Sequence, residues 1–321
     1  MKHVLITGGA GFIGSHLCDL FLSRGYAVTA VDNLLTGNER NLDQAKRSEH
    51  FQFLNWDVSK PISESSCRLI QQHGLAGILH FACPASPIDF VKIPYDILKV
   101  DSLGTIYTVD LALKYGARYV LASTSEVYGD PLVHPQKETY FGNVNPNGSR
   151  ACYDEAKRFA EAYVSTAYNG TALPRALNGC IVRIFNTYGP RTRPNDGRVV
   201  PELCVQALKG EPMTIHGTGT QTRSFCFVTD LIDGIYRAYE SKESAPINLG
   251  NPDERSMIDF AEVVLKLTNA KVQMKHLPAR EDDPKKRCPD IGRARSVLGW
   301  EPRVSLETGL KETLDYFKTC L

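Results

Sequence analysis

The stretch Lys2-His3-Val4-Leu5-Ile6-Thr7-Gly8-Gly9-Ala10-Gly11-Phe12-Ile13-Gly14 decides the fold. Its apolar run to Thr7 reads as a strand, Gly8 to Gly14 as a glycine turn of GxxGxxG spacing, and Ser15 to Arg24 as an amphipathic helix closed by Gly25. A second strand, Ala27 to Asp32, follows. Such a turn lets the backbone approach a pyrophosphate, which then rests on the partial positive charge of the helix N-terminus. The glycines alone are a weak signal, since a plain tight turn with a helix cap is the alternative; their place in a strand-turn-helix-strand unit gives them weight.

Outward from this unit, strand-like runs recur at Phe51 to Trp56, Gly77 to Phe81, Arg118 to Ser123 and Cys180 to Phe185. Helical stretches lie near Tyr95 to Tyr115 and Tyr153 to Tyr168. Strands alternating with helices predict an α/β fold, a Rossmann-type doubly wound parallel sheet. After Asn186 the pattern turns irregular, with Pro190, Pro194, Pro201 and Pro212, and a smaller substrate lobe is expected to begin there. Helices are read at Val228 to Glu240, Ala261 to Thr268 and Leu306 to Lys318, the first returning to the sheet. The expected division is a dinucleotide-binding domain of residues 1–187 with 226–252, interleaved with a lobe of 188–225 and 253–321.

The second strand ends in Asp32, 18 residues after Gly14, where a carboxylate accepts hydrogen bonds from an adenosine ribose and repels a 2′-phosphate. NAD is therefore expected over NADP, held by Gly8, Gly11, Phe12, Ile13, Gly14 and Asp32, with Asn33, Thr36 and Gly37 in the loop beyond. Asp57 and Val58, after the third strand, are read either as adenine contacts or as a helix cap.

Across 321 residues, 42% hydrophobic and 23% charged, the net charge is +1, so no overall field draws the chain to nucleic acid or an anionic membrane. No apolar run approaches the about 18 residues of a membrane span, and a cytoplasmic location is expected. Nine cysteines are scattered without a CxxC pair, which predicts reduced, mostly buried thiols and no metal site.

Tyr153-Asp154-Glu155-Ala156-Lys157 is a YxxxK pair, and helical spacing sets Tyr153 and Lys157 on one face. An ammonium beside a phenol stabilises the phenolate, so the tyrosine is expected to act as a base near neutral pH although an unperturbed phenol titrates at about 10. Thr124 or Ser125, at the end of the strand before it, supplies a hydroxyl to the same substrate oxygen. Glu126 and Arg287 have plain readings as well, a strand-end contact to water or an amide and a solvated surface cation.

These residues sit in longer strings: ITGGAGFIGSHL from Ile6, HFACPASP at His80 to Pro87, STSEVYGDPLVHPQKETYFGNVNP at Ser123 to Pro146, CYDEAKR at Cys152 to Arg158, RIFNTYGPR at Arg183 to Arg191, DGRVV at Asp196 to Val200, QTRSF at Gln221 to Phe225 and DDPKKRCPDI at Asp282 to Ile291. With them the chain resembles the extended short-chain dehydrogenases and, within these, the UDP-glucuronate decarboxylase (UDP-xylose synthase) family over nearly its whole length. The resemblance implies Tyr153 and Lys157 as the catalytic pair, Thr124, Ser125 and Glu126 around the reacting sugar ring, and Arg287 near its carboxylate. It further implies Pro84, Lys99, Asn186, Val200, His216 and Arg223 on the UDP-sugar, and Thr187 and Arg198 nearer NAD. The family's reaction oxidises the sugar at C4, loses carbon dioxide from C5 and returns the hydride, regenerating NAD. A homodimer pairing the helices near Tyr95 to Tyr115 and Tyr153 to Tyr168 is implied as well.

Several positions depart from the family strings. Asp101 and Ala156 replace an expected Asn and Gly, His216 an expected Tyr beside uracil, Ile88 to Pro94 is unlike the family, and Thr171 to Gly179 is a polar insertion. Of the arginines Arg183, Arg191, Arg193, Arg198 and Arg223, one or two are expected in structural ion pairs. The competing functions are a UDP-glucuronate or UDP-pentose 4-epimerase, which shares the oxidation step, a sugar 4,6-dehydratase, and a catalytically silent NAD-sensing protein.

Overall fold

A computed structural model describes residues 1–170, 176–279 and 286–321. Its centre is a parallel sheet of seven strands, β1 (His3–Thr7), β2 (Ala27–Asp32), β3 (Phe51–Asn55), β4 (Gly77–His80), β5 (Arg118–Thr124), β6 (Gly179–Ile184) and the later strand Ile247–Leu249. They lie in the order β3, β2, β1, β4, β5, β6, Ile247–Leu249. Strand order reverses between β1 and β4, and at the carboxyl ends of those strands a doubly wound sheet leaves its binding crevice. All residues of β1, β2 and β5 are buried, as sheets covered on both faces require.

Helix α1 (Phe12–Ser23) starts directly after Gly11, earlier than the expected Ser15, and Gly25 (φ 79°) ends it. Leu17, Cys18 and Phe21 of α1 pack on one side of the sheet with Leu231, Ile235 and Ala238 of the helix Val228–Glu240. The other side carries α2 (Arg68–His73), α3 (Pro87–Lys92), α4 (Pro94–Lys99), α5 (Thr105–Tyr115) and α6 (Ala151–Asn169), with Val109, Ala160 and Val164 in its core.

The single helix expected over Tyr95 to Tyr115 is interrupted: between α4 and α5 the backbone makes a wide, π-type turn at Val100–Gly104. Ile88 to Pro94 is helical as well, since Pro87 and Pro94 stand in the first turns of α3 and α4, where the missing N–H is not needed. The same reason corrects the irregular reading after Asn186. Pro201 lies in the first turn of helix α7 (Val199–Lys209), which packs with Met257–Thr268 and Leu306–Cys320. Short strands complete this region: Met213–His216 beside Met274–Leu277, and Thr222–Ser224 between Glu254–Ser256 and Lys286–Arg287.

All nine cysteines are free, six of them buried. Among the described residues no helix is long and apolar enough to cross a membrane. Residues 171–175 of the polar insertion, and 282–285 of the string ending at Ile291, lie outside the described residues.

Candidate active site

A cavity of about 1190 Å³ runs along the carboxyl ends of the strands, between the sheet and segments that follow Asn186. One end is formed by the glycine turn. A Cβ at Gly14 would stand 2.1 Å from the Gly8 carbonyl oxygen and one at Gly11 3.0 Å from it, so only a bare backbone closes the turn this tightly. Gly8 adopts φ 67° against the backbone of Phe81 and Ala82. Phe12, Ile13 and Gly14 line the cavity at the start of α1.

Asp32, at the tip of β2, accepts the Ala10 N–H (3.0 Å) on one oxygen and the Leu34 N–H (2.8 Å) on the other. Burial pushes its carboxyl up and those amides pull it down. Each oxygen retains a lone pair for a further donor. Asn33, Thr36, Asp57 and Val58 line the same end; Asp57 also accepts from the Ser59 N–H and hydroxyl, which closes a turn where no helix begins, so the helix-cap reading is not met while the cavity position is. Gly37 is not on the cavity wall: it backs the Asp32 carboxylate, 2.9 Å from where its Cβ would be.

At the centre, Tyr153 and Lys157 project from α6, both buried. The Tyr153 ring stacks on Phe90 of α3 (centroids 4.9 Å apart, 19° between planes), and the Lys157 Nζ lies 5.9 Å from the phenol ring centroid. Lys157 donates to the Ala122 carbonyl (3.0 Å) and sits 2.9 Å from Asp101 Oδ1. Burial pushes the Tyr153 phenol up, Lys157 and the Thr124 hydroxyl pull it down, and Cys83 and Asp101 push it up again, leaving it above the ordinary tyrosine value. The ammonium alone therefore does not bring the phenol's titration down toward neutral pH as expected, chiefly because the ring is buried, with Cys83 and Asp101 adding to that. Thr124 and Ser125 are buried at the end of β5, and the Thr124 hydroxyl also accepts the Glu126 N–H.

The other end is a charge cluster. Glu126 accepts from both terminal nitrogens of Arg287, Nη1 and Nη2 (2.5 and 2.7 Å), and pairs with Nη2 of Arg150 (2.8 Å), with Arg223 close enough to act on it. Burial opposes the Glu126 charge, but Arg287 and Arg150 outweigh it and hold the carboxyl at about 2. Asp154, buried beside them, is pushed up to about 7 by burial and by the Glu126 charge. Neither plain reading survives for this pair: Glu126 is a buried ion-pair partner and Arg287 is not solvated.

Pro84, Lys99, Asn186, Thr187, Arg198, Val200, His216 and Arg223 all line the cavity, on segments brought together from across the chain. His216 contacts the Pro278 carbonyl through Nδ1. The arginines expected to include one or two structural pairs include more: Arg183 pairs with Glu161, Arg191 with Asp19, Arg193 with Asp89 and Arg198 with Asp196.

The sequence reading missed Arg150, Asp154 and Phe90. Arg150 and Asp154 stand three residues before and one after Tyr153, so the α6 spacing that paired Tyr153 with Lys157 also pointed to Arg150. Phe90 carried no such signal, because its stacking partner lies in another element. Among the described residues no cluster of side chains fit to hold a metal ion occurs.

Residues 5–313 match the family model described as GDP-mannose 4,6 dehydratase. A UDP-glucuronic acid decarboxylase 1 of Danio rerio is 46% identical over 318 residues, covering 98% of this chain and 72% of its own length. Among solved structures, a Thermotoga maritima UDP-glucose 4-epimerase with UDP-glucose superposes with a TM-score of 0.89 at 29% identity, covering 99% of both chains. A Bacillus cereus UDP-glucuronic acid 4-epimerase in complex with UDP-glucuronic acid and NAD superposes with a TM-score of 0.88 at 27% identity, covering 100% of both.

Proposed function

The chain belongs to the GDP-mannose 4,6-dehydratase family of extended short-chain dehydrogenases, and within it we propose that it is a carboxy-lyase that converts UDP-glucuronate to UDP-xylose, using NAD without consuming it. The observation that carries this reading is the 46% identity, over 98% of the chain, to a protein named for that decarboxylation.

The residues present fit NAD: a turn that any Cβ would fill, the positive end of α1, and a carboxylate at the tip of β2 with lone pairs to spare. When bound, NAD accepts hydride from the sugar C4 and later returns it. Tyr153 takes the proton of the C4 hydroxyl, with Lys157 behind it and the Thr124 and Ser125 hydroxyls directing the same oxygen. Once C4 is a ketone, the C5 carboxylate is β to it, and carbon dioxide leaves as its bonding electrons spread into an enolate. C5 is then protonated. Arg287, Arg150 and Arg223 all act on Glu126, so three guanidinium groups converge at that end of the cavity, where a sugar acid's carboxylate would find donors. Arg287 orients the sugar carboxylate in partial exchange for Glu126, and Glu126 organises proton delivery to C5. Pro84, Lys99, Asn186, Val200, His216 and Arg223 hold the UDP-sugar, while Thr187 and Arg198 close over NAD. Residues 1–187 with 226–252 form the NAD domain in this reading, and 188–225 with 253–321 the sugar lobe.

A 4-epimerase is the second reading, favoured by full-length superposition on a UDP-glucuronic acid 4-epimerase. Incubation with UDP-glucuronate and mass spectrometry separates them: a UDP-pentose lighter by carbon dioxide supports the decarboxylase, and an isobaric product the epimerase.

The chain acts as a homodimer in this reading. Val91 (81% exposed), Tyr95 (76%), Leu98, Leu103 and Phe159 present an apolar strip across α3, α4, the turn after it and α6. Light scattering at micromolar concentration is expected to give twice the chain mass, and Tyr95→Glu the single mass; a monomeric wild type contradicts the assignment.

A further inference from the structure

Asp101 is 0% exposed, a position where a carboxylate is sustained only by a partner. The wide turn Val100–Gly104 carries it inward, and irregular helical turns of this kind concentrate at functional sites. Its Oδ1 is 2.9 Å from Lys157 Nζ, and its Oδ2 accepts the Cys83 S–H at 2.9 Å. Burial and the Asp101 charge push the Cys83 thiol well up, so Cys83 remains a donor. Burial alone would pull the Lys157 ammonium down, but Asp101 outweighs it and holds Lys157 charged.

The remaining groups facing this cluster add no charge of their own. His80, the last residue of β4, is held neutral by burial and by Lys157, down at about 3. Tyr119 of β5 is pushed up by burial and stays a phenol. Arg198, from the loop before α7, is offset by its partner Asp196. Charge at the core of the site is therefore one ammonium and one carboxylate, which sum to zero. Taking the Tyr153 proton leaves a buried net negative charge. With a neutral amide at position 101, the residue the family string carries there, the same step would run from a net positive charge to zero, which a low-dielectric interior favours.

We propose that Asp101 is a positioning residue for the proton transfer: paired with Lys157, it fixes the ammonium against the Ala122 carbonyl and offsets its charge, so that Tyr153 in this chain is a stronger base, deprotonated at higher pH, than an amide at position 101 would allow. Cys83 holds the second carboxylate oxygen and so sets the carboxylate's orientation toward Lys157. This inference rests on Tyr153 being the base.

The test uses Asp101→Asn and the double variant Asp101→Asn/Cys83→Ser, in which a hydroxyl accepts from the new amide. Two quantities are followed against pH: kcat on UDP-glucuronate, and tyrosinate absorbance of the cofactor-free protein after subtraction of its Tyr153→Phe counterpart in the same background. The acid limb of kcat and the Tyr153 absorbance step are both expected to move to lower pH by about one unit or more, about a tenfold gain in rate below the limb. A limb and step that stay where the wild type has them, or move to higher pH, overturn the proposal. Failure of both variants to fold overturns it too, since Asp101 would then be structural. A Tyr153→Phe enzyme that turns over like the wild type defeats the base assignment itself; an inactive Tyr153→Phe with an unmoved limb defeats only the role of Asp101.

Discussion

The two ends of the cavity are made of different materials. The end beside α1 is main chain: Gly11 and Gly14 pressed against the Gly8 carbonyl, Gly8 against the backbone of Phe81 and Ala82, helix amides and one carboxylate held by backbone N–H groups. The other is side-chain charge: Glu126 clasped by Arg150 and by Arg287, 161 positions away in the sequence. A site of backbone is broken by adding atoms, and a site of charge by removing one.

The largest effect is expected at the backbone end. A side chain at residue 14 meets the Gly8 carbonyl, which cannot swing aside as a flexible side chain does. Gly14→Val should abolish the rise in melting temperature that NAD gives the wild type. A variant still stabilised by NAD would show that the turn is not the cradle it is taken for.

At the charge end, Arg287→Met takes the whole bidentate pair from Glu126 and leaves it to Arg150, while its burial remains. Unfolding in urea should show a loss of about 3 kcal/mol, and the KM for UDP-glucuronate should rise. Unchanged stability with unchanged KM would reduce the cluster to surface charge.

The glycine turn, the strand ending in Asp32 and the Tyr153–Lys157 pair were legible because each is encoded within a few consecutive residues by conformational necessity or helical period. The clasp on Glu126 was not, because it joins a strand end, the start of α6 and a late strand through contacts that no local pattern encodes. Helix α7 was hidden by Pro201, which signals irregularity only when its position within a helix is ignored. Asp101 stood out as a departure, but its meaning required knowing that the wide turn aims it at Lys157.

The smallest expected effect sharpens the contrast within the charge end. Asp154 titrates at about 7, against 3.8 for an ordinary aspartate, so its folded form holds a proton that the unfolded form has lost. The stability this provides is present below the unfolded value and disappears as pH rises through about 7. Asp154→Asn does not titrate, so from about pH 4 to about pH 7 it should gain on the wild type by on the order of 1 kcal/mol per pH unit, and no further above that. Urea midpoints of the two proteins moving in parallel would remove Asp154 from the cluster.

The most direct test of the whole account follows the carboxylate carbon. UDP-glucuronate carrying carbon-13 at its carboxylate, turned over in a sealed tube by the wild type, should deliver the label to carbon dioxide and leave an unlabelled nucleotide pentose. Label retained in a six-carbon nucleotide sugar would contradict decarboxylation, whatever else the enzyme does to C4.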